Sequence, residues 1–124
     1  MIRSVRRALI ALVLFSAGCN SSDDPREVII VARGMTFTLP SDPDTANPVI
    51  HLRPGEVVTI TLRNEAPGLM HDFRIPSWDV KTEQTRGGES SSVAVTVPPQ
   101  QGRYEYICGP HSEMMRGFVE VAAP

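Results

Sequence analysis

Apolar side chains recur at every second residue in one short run after another, and proline or glycine ends most of the runs. Val28 to Val31 is a β-branched stretch, and Met35, Phe37 and Leu39 alternate with Thr36 and Thr38. Val49 to Arg53 and Val57 to Leu62 are separated by the turn pair Pro54-Gly55, and Met70 to Ile75 stops at Pro76. Val93, Val95 and Val97 alternate up to Pro98-Pro99, and Tyr104, Tyr106 and Cys108 fall two apart. Successive side chains of a strand point to opposite faces, so each run acquires one apolar face that has to be covered. Pro40 to Pro48, rich in Pro, Asp and Asn, reads as a surface loop, and residues 77–89 as a connection crossing the edge of the domain. Beyond the first 18 residues there is no helical period of useful length and no internal repeat. Seven to eight short strands in roughly 100 residues predict an all-β fold, an antiparallel Greek-key β-sandwich with one modest core.

The N-terminus follows another pattern. Arg3, Arg6 and Arg7 precede an apolar run from Ala8 to Phe15, and Ser16-Ala17-Gly18 stands before Cys19. Basic start, short apolar segment and small residues before a cut make a secretory signal peptide. The run falls well short of the roughly 20 residues that a membrane-spanning helix needs. Small residues directly before a cysteine also resemble a bacterial lipoprotein signal, in which that cysteine becomes the lipid-carrying first residue. Ser16 departs from the leucine usual at that place, and ordinary cleavage nearby with Cys19 discarded is the alternative. The expectation is a signal over residues 1–18, lipid on Cys19, a polar tether over 20–25 and one domain over 26–124. The protein is then exported to the periplasm or the outer face of a bacterial membrane, which it touches only through its N-terminal lipid.

Three of the 12 basic side chains and none of the 14 acidic ones lie in the first 18 residues, so without them the formal net charge is −5. That surface suits a basic protein partner and argues against nucleic acid. There are two cysteines, and lipidation takes Cys19. Cys108 is left as a single exported thiol with no disulfide partner, which calls for an explanation.

The loop that follows supplies one. Cys108-Gly109-Pro110-His111-Ser112-Glu113-Met114-Met115 places a thiolate, an imidazole and two thioethers between two strands. With a second imidazole, these are the donors of a trigonal copper site with a weak axial sulfur. His71 is the candidate. Taken alone, Cys108 is a small buried hydrophobe and His71 a structural histidine; the loop is what promotes both. His51 has no partner spaced to join it. A structural zinc would use Cys and two His but leave the methionine idle. With three histidines in all, none remains for a substrate-activating second copper. No nucleophile motif, spaced carboxylate pair or phosphate loop is present, so the expectation is not an enzyme.

These residues resemble the cupredoxins, the small blue copper proteins, and among them the plastocyanin and amicyanin group. The resemblance runs from about Glu27 to Val121 through Pro54-Gly55-Glu56, His71, Gly102-x-Tyr104-x-Tyr106-x-Cys108, Cys-x-Pro-His and Met-x-Gly. It implies one type 1 copper, held by His71, Cys108 and His111 roughly in a plane with a methionine above. Met114 gives the shorter, amicyanin-like spacing. Met115 stands directly before Arg116-Gly117, where family loops rejoin the last strand, and is favoured because the strand end fixes the backbone from which it projects. The family commonly has Asn after the first histidine, tying the ligand loops together. Here that position is Asp72, which when ionised only accepts hydrogen bonds. Its charge would favour Cu(II), and its tie would need donors such as Ser112. Pro110 has no N–H, so the resemblance implies one amide bond to the sulfur, from Asp72. The implied function is a monomer carrying single electrons between redox protein partners by Cu(II)/Cu(I) cycling, with His111, Pro110 and Leu69 on the docking surface. A reading of another class is an envelope copper carrier or sequestering protein drawing on Met70, Met114 and Met115. A third is an adhesion-type sandwich without metal.

Overall fold

The computed structural model describes residues 24–124. The expected signal peptide, Cys19 and most of the tether therefore lie outside the described residues. Among these residues nine strands form two facing sheets. The first contains β1 (Arg26–Arg33), β2 (Thr36–Thr38), β4 (Val57–Asn64) and β7 (Ser90–Thr96), and the second β3 (Ile50–Leu52), β5 (Arg74–Ile75), β6 (Val80–Lys81), β8 (Gly102–Ile107) and β9 (Arg116–Val121). Their spatial orders are β2-β1-β4-β7 and β3-β9-β8-β5-β6. The expected sandwich is present, with more strands than the seven to eight predicted because β5 and β6 are only two residues each.

The sheets are mixed rather than purely antiparallel: β1 pairs with β4, and β3 with β9, in parallel. Period two reveals which face of a strand is buried but not which way its neighbour runs. A parallel pair cannot be joined by a tight hairpin; between β1 and β4 the chain crosses to the second sheet and comes back. The run Met70–Ile75 also contributes less strand than expected. Only Arg74–Ile75 joins the sheet, while His71 makes an isolated bridge to Thr85, its N–H donating to the Thr85 carbonyl at 3.0 Å and its carbonyl accepting from Thr85 N–H at 2.8 Å. A 3-10 turn at Pro76–Trp78 and then β6 carry the chain along the sheet edge.

Alternation places the core. In β4, Val58, Ile60 and Leu62 are buried while Val57 and Arg63 are exposed. Phe37, Phe73 and Tyr106 meet at centroid distances of 5.5, 5.8 and 5.1 Å, two of the three contacts edge-on, the arrangement ring quadrupoles prefer. The Tyr106 hydroxyl donates to the Pro48 carbonyl at 2.7 Å. Tyr104, half-buried, packs on Trp78 at the edge. Cys108 and Met115 belong to the same buried cluster. At the end of β4, buried Asn64 donates to the carbonyls of Leu69 and Thr85 at 2.9 and 2.8 Å and accepts from Ala66 N–H at 2.8 Å. It thereby fixes the 65–70 turn and the partner of His71 together. Among the described residues no helix is long and apolar enough to cross a membrane.

Candidate metal centre

Two segments from different parts of the chain converge at one end of this core. The first is the 65–72 turn, held by Asn64 and Thr85, which presents His71. The second is the loop from Cys108 to Met115, and the backbone closes it on itself. Cys108 N–H donates to the Met115 carbonyl at 2.9 Å, and the N–H groups of Met114 and Met115 both donate to the His111 carbonyl, at 3.1 and 2.9 Å. Strands β8 and β9 pair from Gly102↔Val121 to Ile107↔Arg116, so both ends of the loop are anchored. Cys108 Sγ then stands 3.6 Å from His71 Nδ1 and 3.7 Å from His111 Nδ1, and the three side chains offer donor atoms all within 4.8 Å of one another. His71 and Cys108 are buried and His111 is half-buried.

These spacings fit a metal ion. Bonds of about 2.0 Å to nitrogen and about 2.3 Å to sulfur, the lengths zinc makes, set N and S about 3.7 Å apart when they open at about 120°. A thiolate with two imidazoles suits copper. A family model for copper binding proteins of the plastocyanin/azurin family matches residues 47–122, well over half of the chain. The chain belongs to this family.

Its cofactor is a single type 1 copper, for which the His-Cys-His group with methionine nearby provides the setting. The fold of this cupredoxin recurs in solved structures. Reduced auracyanin of Roseiflexus castenholzii superposes with a TM-score of 0.62 at 15% identity, over 78% of this chain and 97% of that one. Auracyanin A, a blue copper protein of Chloroflexus aurantiacus, gives 0.58 at 19% identity, over 80% and 100%. The multicopper oxidase McoA of Aquifex aeolicus gives 0.64 at 17% identity, over 80% of this chain but only 27% of that one. No curated protein matches the chain.

The electrostatics of the cupredoxin site follow from burial and from a few dipoles. Burial pushes the Cys108 thiol up, the backbone amides of Asp72 and His111 pull it back toward the thiolate, and the charges of Asp72 and Arg74 act in opposite senses, the carboxylate raising it and the guanidinium lowering it. Burial, and then the neighbouring His111 ring, holds His71 below the usual imidazole range, which keeps it neutral and able to offer a lone pair. A carbonyl contact from Gly34 works the other way, yet among the described residues no bond of full hydrogen-bond geometry reaches His71 Nε2.

The two methionines are placed very differently. Met115 is 0% exposed within the core cluster, whereas Met114 is 60% exposed. Asp72 is not tied by Ser112. Its Oδ1 accepts from Gly109 N–H at 2.6 Å, and its Oδ2 accepts from Nε and Nη2 of Arg74 at 2.9 and 2.7 Å. The expected uncompensated charge is thus offset by a guanidinium that sequence reasoning overlooked. Asn47 was also missed. At φ 48°, it accepts from Phe37 N–H at 2.9 Å through Oδ1 and donates through Nδ2 to the Met114 carbonyl at 3.1 Å. It clasps the Cys108–Met115 loop to the first sheet. The only hint was an Asn within a Pro/Asp-rich loop, since Asn tolerates the left-handed region.

Proposed function

We propose that this cupredoxin is an electron carrier and not an enzyme, and that it holds copper through His71 Nδ1, Cys108 Sγ and His111 Nδ1 with the Met115 thioether as a weak fourth donor. The carrying observation is that the three donors already converge, around a loop whose backbone is closed by its own hydrogen bonds. Copper, when bound, supplies the one-electron couple. The chain supplies donors that suit both oxidation states, soft sulfur for Cu(I) and imidazole for Cu(II). Anchoring by β8, β9, Asn47 and Asn64 keeps those donors still, so little reorganisation accompanies the electron. Burial of Cys108 and His71 excludes water, while half-buried His111 lies beside exposed Pro110 and Met114, at the surface a partner can reach.

The protein is exported by its signal, anchored by lipid on Cys19, monomeric, and exchanges electrons in the cell envelope with redox proteins rather than nucleic acid. The exposed thioethers of Met70 and Met114 keep one other reading in play, a copper carrier that gives its metal away. The two are separated by cycling the copper-loaded protein between oxidant and reductant beside an apo-acceptor with a Cu(I) site. A shuttle keeps its copper and its colour through many cycles. Transfer of the metal within the first few would overturn the electron-carrier reading.

Two variants test the placement of residues. Met115→Gln is expected to shift both the visible spectrum and the reduction potential of the copper protein, and Met114→Gln to leave both unchanged; the reverse pattern would make Met114 the fourth donor. His111→Ala is expected to abolish electron exchange, measured by stopped-flow against a small redox protein. A variant that stays blue and exchanges at the wild-type rate would remove His111 from the site.

A further inference from the structure

We propose that Asp72 and Arg74 form a charge-balanced clamp on the Cys108 loop, whose two opposite charges together set how strongly the site favours its oxidised state. This rests on reading His71, Cys108 and His111 as the ligands. Asp72 directly follows His71, Gly109 directly follows Cys108, and Arg74 is paired with Ile107 in the sheet. One carboxylate therefore joins two segments, its own stretch and the Cys108 loop: Gly109 N–H bonds one oxygen, and the Nε and Nη2 donors of Arg74 the other. Asp72's side chain is only 2% exposed, that of Arg74 38%. The guanidinium packs directly over the Gly109 backbone, where even a single Cβ would collide with it. Glycine at this position makes room for arginine.

A carboxylate this deeply buried is strongly disfavoured unless it is paired, and a guanidinium fork on one oxygen is among the stronger pairings available. The pair also has an electrostatic consequence. A negative charge beside the site favours Cu(II) and a positive charge favours Cu(I), so Asp72 and Arg74 act on the same equilibrium in opposite directions. A merely structural tie predicts something else: loosening it from either side should disturb the site in the same sense.

Both descriptions are separated by measuring the reduction potential of copper-loaded Arg74→Gln, Asp72→Asn and the double variant, with Arg74→Lys as the charge-conserving control. Arg74→Gln is expected to move the Cu(II)/Cu(I) equilibrium toward Cu(II) by about tenfold, a fall of about 59 mV for one electron. Asp72→Asn should move it the other way by a similar factor, the double variant should return near wild type, and Arg74→Lys should recover most of the potential. If Arg74→Gln does not fold, Asp72→Asn and the double variant still decide. Shifts of the same sign in both single variants, or no shift in either while the protein stays blue, would overturn the clamp alone. A wild-type protein that stays colourless with Cu(II) would instead remove the ligand reading beneath it.

Discussion

Cys108→Ser is expected to leave a folded protein that shows none of the intense visible absorption of the copper-loaded wild type. The absorption arises from charge transfer between thiolate and Cu(II), and Cys108 is the sole free cysteine among the described residues. Serine retains the shape of the side chain but not its chemistry: its hydroxyl is a hard donor that stays protonated, and the soft sulfur that favours Cu(I) is gone. Affinity for Cu(I) should fall by several orders of magnitude. The fold should survive, because a hydroxyl in this fully buried position costs only about 1–3 kcal/mol where it lacks a good partner. Far-UV circular dichroism checks that point independently of the metal. Alkylation supplies a second arm. The buried thiol of the metal-free protein should react slowly, and that of the copper protein not at all. A blue Cys108→Ser protein, or a thiol equally reactive with and without copper, would dissociate the metal from this residue.

Much of this arrangement was legible because it is local. The spacing of Tyr104, Tyr106 and Cys108 is a strand face, and burial of Tyr106 and Cys108 follows directly from it. Cys108, His111 and Met115 share one loop, so their proximity needs no knowledge of the rest of the fold. His71 was reachable only by pairing it with that loop, and the 3.6 Å approach to Cys108 shows the two segments meeting. What escaped depends on contacts made across the fold. Asn47 reaches a carbonyl 67 residues away, and nothing in its own neighbourhood of prolines and aspartates points there. Arg74 was invisible for a different reason. Residues two apart on a strand normally share a face and point the same way, which brings Asp72 and Arg74 together, but the bend between the His71 bridge and β5 decides whether they touch. The direction of strand pairing was likewise hidden, because parallel and antiparallel neighbours bury the same alternate residues.

Gly117→Ala is expected to destabilise the protein by about 2–6 kcal/mol, a large effect for one methyl group. Gly117 faces Tyr106 across the β8–β9 ladder, and a Cβ there would run into the ring and hydroxyl of Tyr106 and come within 2.9 Å of the Asn47 carbonyl. No left-handed backbone is involved, so the requirement for glycine is one of space. Tyr106 has nowhere to retreat. It is fully buried, packed on Phe37 and Phe73, and bonded through its hydroxyl to Pro48. Overpacking alone costs about 1–3 kcal/mol, and breaking the hydroxyl bond would leave a buried oxygen unpaired at about 1–3 kcal/mol more. This gives the Met-x-Gly junction a physical meaning: the glycine lets the tyrosine two residues before Cys108 lie against the strand that begins just after Met115. It also brings the Asn47 clasp and the metal loop together at one point. Urea unfolding should therefore show a lower midpoint with an unchanged slope, and the same substitution in a Tyr106→Leu background should cost clearly less, the remainder coming from the Asn47 carbonyl, which stays in place when the ring is gone. An alanine variant as stable as the wild type, or an equal loss in both backgrounds, would show that the ring and the glycine do not constrain each other.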